Sequence, residues 1–421
     1  MLAALRFRAF RLLWMGQSAS MFGDSMILVA IGLFVTDLTG NPSDVGLVLA
    51  AYTVPLVGFL LVGGVIADRF PRRLVMIVSD LVRAVLHGVL ALLIAFGAVE
   101  IWHMMVIGAL FSTAEAFFRP AYSGLLPQTV PEDHIQQAQA LGGLSREVAS
   151  FVSPAVATAL VLGVGGAAAF AFDALTFVVS ALLLARVQAR ARGEVTEKTS
   201  FLLELREGWH AVRERTWVWA TVLAFSLALF LMLGPFFVLG ATVSKDVYGT
   251  PAVFGLTSAA WGVGTVTGVV IGARWRPLYP MRAGMLAVVP WPLGTVAFAL
   301  GPPPALLYAL IAVLGVGIGL FAVWWETALA TRIPPHLLSR VSAWDWMGSL
   351  ALLPIGYLVA GPVAARLGGT RTLIGGALMS FVIMAMAVLP RDTRMLRRIE
   401  PEGDAPVISP EAPRATAPLS G

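Results

Sequence analysis

Residues 63–73 read GGVIADRFPRR, one acid and three arginines set between two apolar runs, Val45–Val62 and Leu74–Gly97. In a water-soluble chain such a segment is an ordinary surface loop. Here only 13% of the 421 residues are charged and 58% are hydrophobic, with a mean hydropathy of +0.83. Globular proteins carry about 25% charged residues, so lipid rather than water surrounds most of this chain. The segment is then a short polar connection between two membrane-crossing helices.

Apolar runs of about 18 residues or more read as transmembrane helices, and twelve can be placed. They are 10–36, 44–67, 74–97, 101–122, 136–162, 165–186, 216–242, 251–273, 281–300, 304–327, 340–365 and 370–390. The N-terminal MLAALRFRAFRLLW leads straight into the first span, so that span is expected to serve as the targeting segment, without a cleaved signal. Of the basic residues, only Lys245, Arg366 and Arg371 fall on the side opposite the termini, while Arg83 and Arg146 lie within spans. Every other Lys and Arg falls on the side of the termini, and the positive-inside rule puts that side in the cytoplasm. The pI of about 9.9 is therefore a topology signal, and a nucleic-acid partner is not expected.

A polar interruption at 187–215 divides the chain into six-span halves, 1–186 and 216–390, followed by a tail at 391–421. The linker contains FLLELREGWHAVRERTW, an amphipathic helical pattern, and the Pro-, Ala- and charge-rich tail is expected to be disordered. VIADRF at 65–70 lies opposite VIGARW at 270–275, and Pro154 in span 5 opposite Pro362 in span 11. Such matches at equivalent places suggest a parallel internal repeat. The expected fold is an all-α membrane protein with twelve transmembrane helices in two pseudo-symmetric six-helix bundles.

The pattern G-x-x-x-D-R-x-x-R-R, formed by Gly64, Asp68, Arg69, Arg72 and Arg73, resembles the 2–3 loop signature of the major facilitator superfamily. The chain is similar to its drug and siderophore exporters (enterobactin- and macrolide-exporter-like) in FRLLWMGQSASMFGDSM (10–26), FFRPAYSGLLPQTVPEDHIQQAQAL (117–141), AFAFDALTFVVSALLL (169–184), RIPPHLLSRVSAWD (332–345) and PIGYLVAGPVAARLG (354–368). It departs from the family pattern at Pro71, at Ser153-Pro154 with Ala157-Thr158, and in lacking an Arg over Trp102–Ala114. The resemblance implies a monomeric secondary transporter in the cytoplasmic (inner) membrane of a bacterium, exporting a lipophilic or amphipathic small molecule such as a drug, antibiotic or siderophore by proton antiport. It also implies that Asp68 closes the bundle interface against the start of span 11, near Arg340, making the loop signature a conformational latch. A lipid or lysolipid flippase of the same fold is an alternative, as is a membrane sensor or assembly protein that transports nothing.

Charges inside spans each need a partner or a purpose, since one at the bilayer centre costs at least about 2.5–3.5 kcal/mol. Asp24 lies about 21 Å into span 1 at about 1.5 Å per residue, with no basic residue within four positions. Burial disfavours the charged form of an unpaired carboxyl, so Asp24 is the proton-coupling candidate. The competing reading is a neutral Asp bonded to a Ser or a carbonyl beside Gly23. Asp80, Arg83, Glu115, Arg119, Arg146 and Glu147 are three acids and three bases in spans 3 to 5. They read as a balanced buried network, either a static helix tie or one that rearranges during transport. Asp173 reads as structural, and Glu326 and Asp345 as reachable by water, Arg332 or Arg340.

Trp324, Trp325, Trp344 and Trp346 could line a cavity or belong to an interfacial belt, and Trp209, Trp217 and Trp219 fit a belt. Gly262, Gly264, Gly268 and Gly272 are spaced for close helix packing. Nothing points to an enzyme, a metal or a cofactor. There is no Cys, the five His are scattered, and GEVTEKTS (193–200) has Glu197 where a phosphate loop requires Gly before Lys-Thr.

Overall fold

A computed structural model describes residues 2–131, 134–188 and 201–398; side chains at several helical positions, Gly64 and Asp68 among them, lie outside that description. The described residues contain helices and no strands. Span 1 is Arg8–Thr39, span 2 Pro42–Arg69, span 3 Arg72–Ala95, span 4 Ile101–Leu125, span 5 Ile135–Gly163 and span 6 Gly166–Leu184. Span 7 runs from Thr216 to Tyr248, span 8 is Ala252–Arg274 and span 10 is Pro304–Arg332. Span 9 is built from Pro280–Val288 and Leu293–Leu300, span 11 from Pro335–Leu350 and Leu353–Leu367, and span 12 is Gly369–Ala387.

Several helices extend past their apolar stretches, because a helix ends where its backbone is capped rather than where hydropathy falls. Span 1 reaches Thr39 and stops at Gly40, whose φ of 66° closes the last turn. Across the turn, Pro42 sits at the first position of span 2 and the Asn41 side chain accepts a bond from Ser43 N at 3.0 Å. Glu100 and His103 form a reciprocal cap at the start of span 4, so His103 is a capping residue. Span 7 carries a π turn at Leu229–Leu233. Pro235 just beyond it has no N–H to give to the helical ladder.

Spans 1 to 6 pack on one another (2 on 4, 3 on 6, 1 on 5 and 6), as do spans 7 to 12 (8 on 10, 9 on 10, 7 on 11 and 12). The glycines of span 8 serve both halves. Gly264 and Gly268 lie against backbone carbonyls of Ala312 and Val316 in span 10, while Gly262 lies against Phe151 of span 5.

The halves meet through spans 5 with 8, 2 with 11, and 1 and 2 with 7. Close approaches near the ends of these spans are Gly46 to the Tyr357 carbonyl, Gly361 to Ser43, Gly255 to Thr158 and Gly32 to the Phe254 ring and the Phe237 carbonyl, where an added Cβ would press on or overlap its neighbour. All of these lie toward the side opposite the termini, which is therefore sealed. At the other side the first segment of span 11 packs within its own half, on spans 7 and 10 and on the linker helix.

That linker helix, Phe201–Arg213, realises the amphipathic pattern read in the sequence. Residues 189–200 of the linker lie outside the described residues. The tail departs from expectation, because residues 391–398 are ordered. Arg391–Met395 is helical, and Arg398 donates to the carbonyls of Leu278 and Arg276. Thr393 is fully buried, so burial and hydrogen bonds order this part of the tail despite its charge. Residues 399–421 lie outside the described residues.

Candidate functional site

Span 3 presents Asp80, Arg83 and His87 at spacings of three and four, which places them on one helical face, and all three are buried. Arg83 is the centre of the first group. Its Nη2 donates to Asp80 Oδ1 at 2.5 Å and its Nη1 to Asp24 Oδ2 at 3.5 Å. Phe177, Phe118 and Phe111 surround the guanidinium at 4.2, 4.5 and 5.7 Å from their ring centres. A cation in a dry aromatic cage gains from the ring faces but depends on its carboxylates for charge balance.

This corrects the reading of Asp24 as unpaired. Its partner comes from another helix, 59 positions away in the chain, and proximity along one helix could not reveal it. The Asp24 side chain keeps 27% of its surface exposed, against 1% for Arg83 and 0% for Asp80. Asp24 is thus the least enclosed member of the group, although its Oδ1 is buried without a hydrogen-bond partner among the described residues.

One turn along span 3, His87 holds a second group. Its Nδ1 lies 2.5 Å from Asp173 Oδ2 of span 6, and its Nε2 lies 3.0 Å from the Tyr52 hydroxyl of span 2. The imidazole stacks on Phe111 at 4.0 Å between ring centres. Two glycines make room. A Cβ at Gly108 would overlap the Tyr52 ring, and one at Gly23, next to Asp24, would overlap the Asp173 carboxylate. Asp173, read from sequence as structural, and His87, read as one of five scattered histidines, therefore sit behind Asp24 in a built polar core. The i, i+3, i+7 spacing of Asp80, Arg83 and His87 was the available signal for it.

The remaining members of the expected network separate. Glu115 and Arg119 pair with each other at 2.5 Å, as their i,i+4 spacing predicts. Arg146 and Glu147 enter no ion pair among the described residues. They sit on span 5, which offers no opposite charge at helical reach.

Two arginines of the loop signature make hydrogen bonds within the N-terminal half. Arg72 Nη1 donates to the Gly124 carbonyl at 2.6 Å, and Arg73 Nε donates to Leu184 O at 2.8 Å with its Nη2 on Ala185 O. Both arginines thus add a donor to carbonyls at the C-terminal ends of spans 4 and 6, within the N-terminal half. Arg69 is exposed. The surroundings of Gly64 and the Asp68 side chain lie outside the description. Arg340 bonds Glu207 of the linker helix, and Arg332 bonds the Arg397 carbonyl.

The tryptophans do not form one cluster. Trp324 and Trp325 are buried and point to different neighbours, Trp324 Nε1 to Trp275 O at 3.1 Å and Trp325 Nε1 to Asp345 Oδ2 at 2.8 Å. Trp344 packs on Trp209 of the linker helix, and Trp346 is exposed. Trp217, expected in a belt, is buried against Trp325 at 5.5 Å. From Trp217 an aromatic series runs through Trp325, Phe321 and Phe225 to Trp291 and Trp261 inside the C-terminal half. Asp345 is therefore held by Trp325 rather than by Arg340, and Glu326 is exposed.

Residues 1–409 match the model of a family described as transmembrane secretion effector. Macrolide efflux protein A of Streptococcus pyogenes is 24% identical over 367 residues, covering 85% of this chain and 90% of that protein. The multidrug efflux pump Tap of Mycolicibacterium fortuitum is 28% identical over 397 residues, covering 88% and 92%. Among solved structures, a bacterial homologue of the lysosomal transporter Spinster, inward-facing and unoccupied, superposes with a TM-score of 0.70 at 15% identity, over 94% of this chain and 99% of that one. The nucleoside transporter NupG superposes with a TM-score of 0.68 at 13% identity, over 90% and 98%.

Proposed function

We propose that this chain, which belongs to the transmembrane secretion effector family of the major facilitator superfamily, exports a lipophilic or amphipathic small molecule in exchange for protons. The single observation that carries the reading is the position of Asp24, a partly exposed carboxylate at mid-span tied to a buried guanidinium. Arg83 has two carboxylate partners on different spans. A proton arriving on Asp24 cancels its charge, loosens the tie between spans 1 and 3, and leaves Arg83 with Asp80. Loss of the proton restores the tie. A gradient can drive a two-state cycle only if the states differ in proton affinity, and a carboxyl whose partner can be released meets that requirement.

On this reading the side bearing the termini is cytoplasmic, as the charge bias implies. The sealed opposite side then corresponds to a state open to the cytoplasm, ready to load cargo. The macrolide and multidrug efflux relatives support an antibiotic-like cargo, carried by the protein as a monomer in the bacterial inner membrane.

The test uses the full chain in proteoliposomes, with erythromycin and ethidium as probes and an imposed pH gradient. Asp24→Asn is expected to abolish gradient-driven accumulation while leaving equilibrium binding of the probes intact. Undiminished accumulation by the variant would reject Asp24 as the coupling carboxyl. Gradient-independent transport by the unmodified chain would reject proton antiport.

A further inference from the structure

Asp24, Asp80, Asp173 and Glu115 interact electrostatically with Arg83, and Arg119 with Asp24, while the His87 imidazole lies against Asp173. The elements packed around His87 and Asp173 contribute Asp24 from span 1, the Tyr52 hydroxyl from span 2, Asp80 and Arg83 from span 3, and Glu115 with Arg119 from span 4. Span 5 places Arg146 and Glu147 in its terminus-side half, outside the ion pairs described. Glu115 and Arg119 neutralise each other. What remains is three carboxyls against one permanent cation, Arg83. Two further protons would bring this group to neutrality. Asp24 can hold one, and Asp80 is committed to Arg83 at 2.5 Å.

We infer that the His87–Asp173 pair is the seat of the second proton, and that Tyr52 transmits its occupancy to span 2. This rests on the proton-coupling reading of the same half but concerns different residues. The geometry specifies two hydrogen-bond patterns. With the additional proton, the pair is neutral overall, one proton lies between Nδ1 and Oδ2, and Nε2–H donates to the Tyr52 oxygen. When that proton leaves, Nδ1–H donates to the Asp173 carboxylate, and Nε2 becomes an acceptor for the Tyr52 O–H. The Tyr52 hydroxyl reverses its direction in response. The trio is enclosed, with His87 and Asp173 at 0% exposure, so neither pattern can be replaced by water without opening the site.

Two features connect this pair to the rest of the machinery. Asp173 lies against the backbone of Gly23, so its charge adjoins Asp24 and each proton site raises or lowers the proton affinity of the other. Tyr52 sits on span 2, six residues from Gly46, which packs on the Tyr357 carbonyl at the seal between halves. A purely structural triad would hold spans 2, 3 and 6 together in one fixed protonation state. A proton seat must change state.

The experiment is a pH titration of the full chain in nanodiscs, without any ligand, over about pH 5 to 10, a range that brackets ordinary His and shifted carboxyl groups. Nitrogen NMR of labelled histidines follows the imidazole, and infrared difference spectra follow the protonated carboxyl. His87→Asn and Asp173→Asn assign the signals. The expected result is one proton lost from the pair, seen in either spectrum, with a midpoint that moves in Asp24→Asn. Constant spectra across the range would overturn the inference and leave a static triad. If the pair titrates but Asp24→Asn transports normally, the second seat stands and the assignment of Asp24 fails. If the pair is silent while Asp24→Asn loses driven transport, the reverse holds.

Discussion

Asp24 of span 1 and Arg83 of span 3 face each other at 3.5 Å, a full ångström farther than Arg83 stands from Asp80. The guanidinium therefore belongs to span 3 first and reaches span 1 second. The longer contact joins two helices and involves the less enclosed of the two carboxylates.

Removing Arg83 leaves Asp80 buried and uncompensated. Breaking a buried pair in this way costs about 3–5 kcal/mol. Arg83→Met is expected to lose thermal stability by that order in detergent-solubilised protein, and Asp80→Asn in the same chain to recover much of it. A double variant no more stable than Arg83→Met would show that the aromatic cage, rather than Asp80, is what depends on the guanidinium.

Two glycines offer a matched pair. A Cβ at Gly23 would overlap the Asp173 carboxylate and the Thr176 hydroxyl, whereas one at Gly88 has nothing within 4 Å. Overpacking costs about 1–3 kcal/mol, and Gly to Ala in an open helical position gains up to about 1 kcal/mol. Gly23→Ala should lower the unfolding midpoint and Gly88→Ala should hold or raise it. Equal effects would contradict the close approach of spans 1 and 6.

Trp325→Phe keeps an aromatic ring beside Trp217 and Phe321 but deletes the donor to Asp345. Leaving a part-buried acceptor unsatisfied costs about 1–3 kcal/mol. Asp345→Asn in the Trp325→Phe background should recover part of the loss in thermal midpoint, since a neutral amide tolerates the site better. No difference between the single and double variants would separate Asp345 from Trp325.

The linker helix is held by an ion pair and by packing, and these differ in weight. Glu207 is 46% exposed where it meets Arg340, and exposed pairs contribute about 0–1 kcal/mol. Trp344 contacts Trp209 and covers Gly208. Hydrogen exchange over 201–213 should change little in Glu207→Gln and rise clearly in Trp344→Ala. The opposite order would make the ion pair the principal attachment.

What could be read from the sequence follows from what is local. Span number and the amphipathic linker depend on runs of residues, and Glu115–Arg119 and Asp80–Arg83 depend on one helical turn. Asp24 with Arg83, and His87 with Asp173 and Tyr52, depend on how spans 1, 2, 3 and 6 pack, so no window on the chain contains them. The same applies to the arginines after Phe70. Their number and side are explained by topology, but their work on the Gly124 and Leu184 carbonyls requires the ends of spans 4 and 6 to arrive beside them. Trp217 lies inside the bundle rather than in a belt because an aromatic near a helix end is as suited to a bundle interior as to a headgroup layer.

The seal opposite the termini is made flush, main chain against main chain, with Gly46 on the Tyr357 carbonyl and Gly361 on Ser43. At these two points, parting the joint uncovers peptide groups and a hydroxyl that water can wet, while the Phe254 ring beside Gly32 adds an apolar contact to the same seal. Fit at the glycines holds the joint shut, and a bulky residue at Gly46 or Gly361 would wedge it ajar.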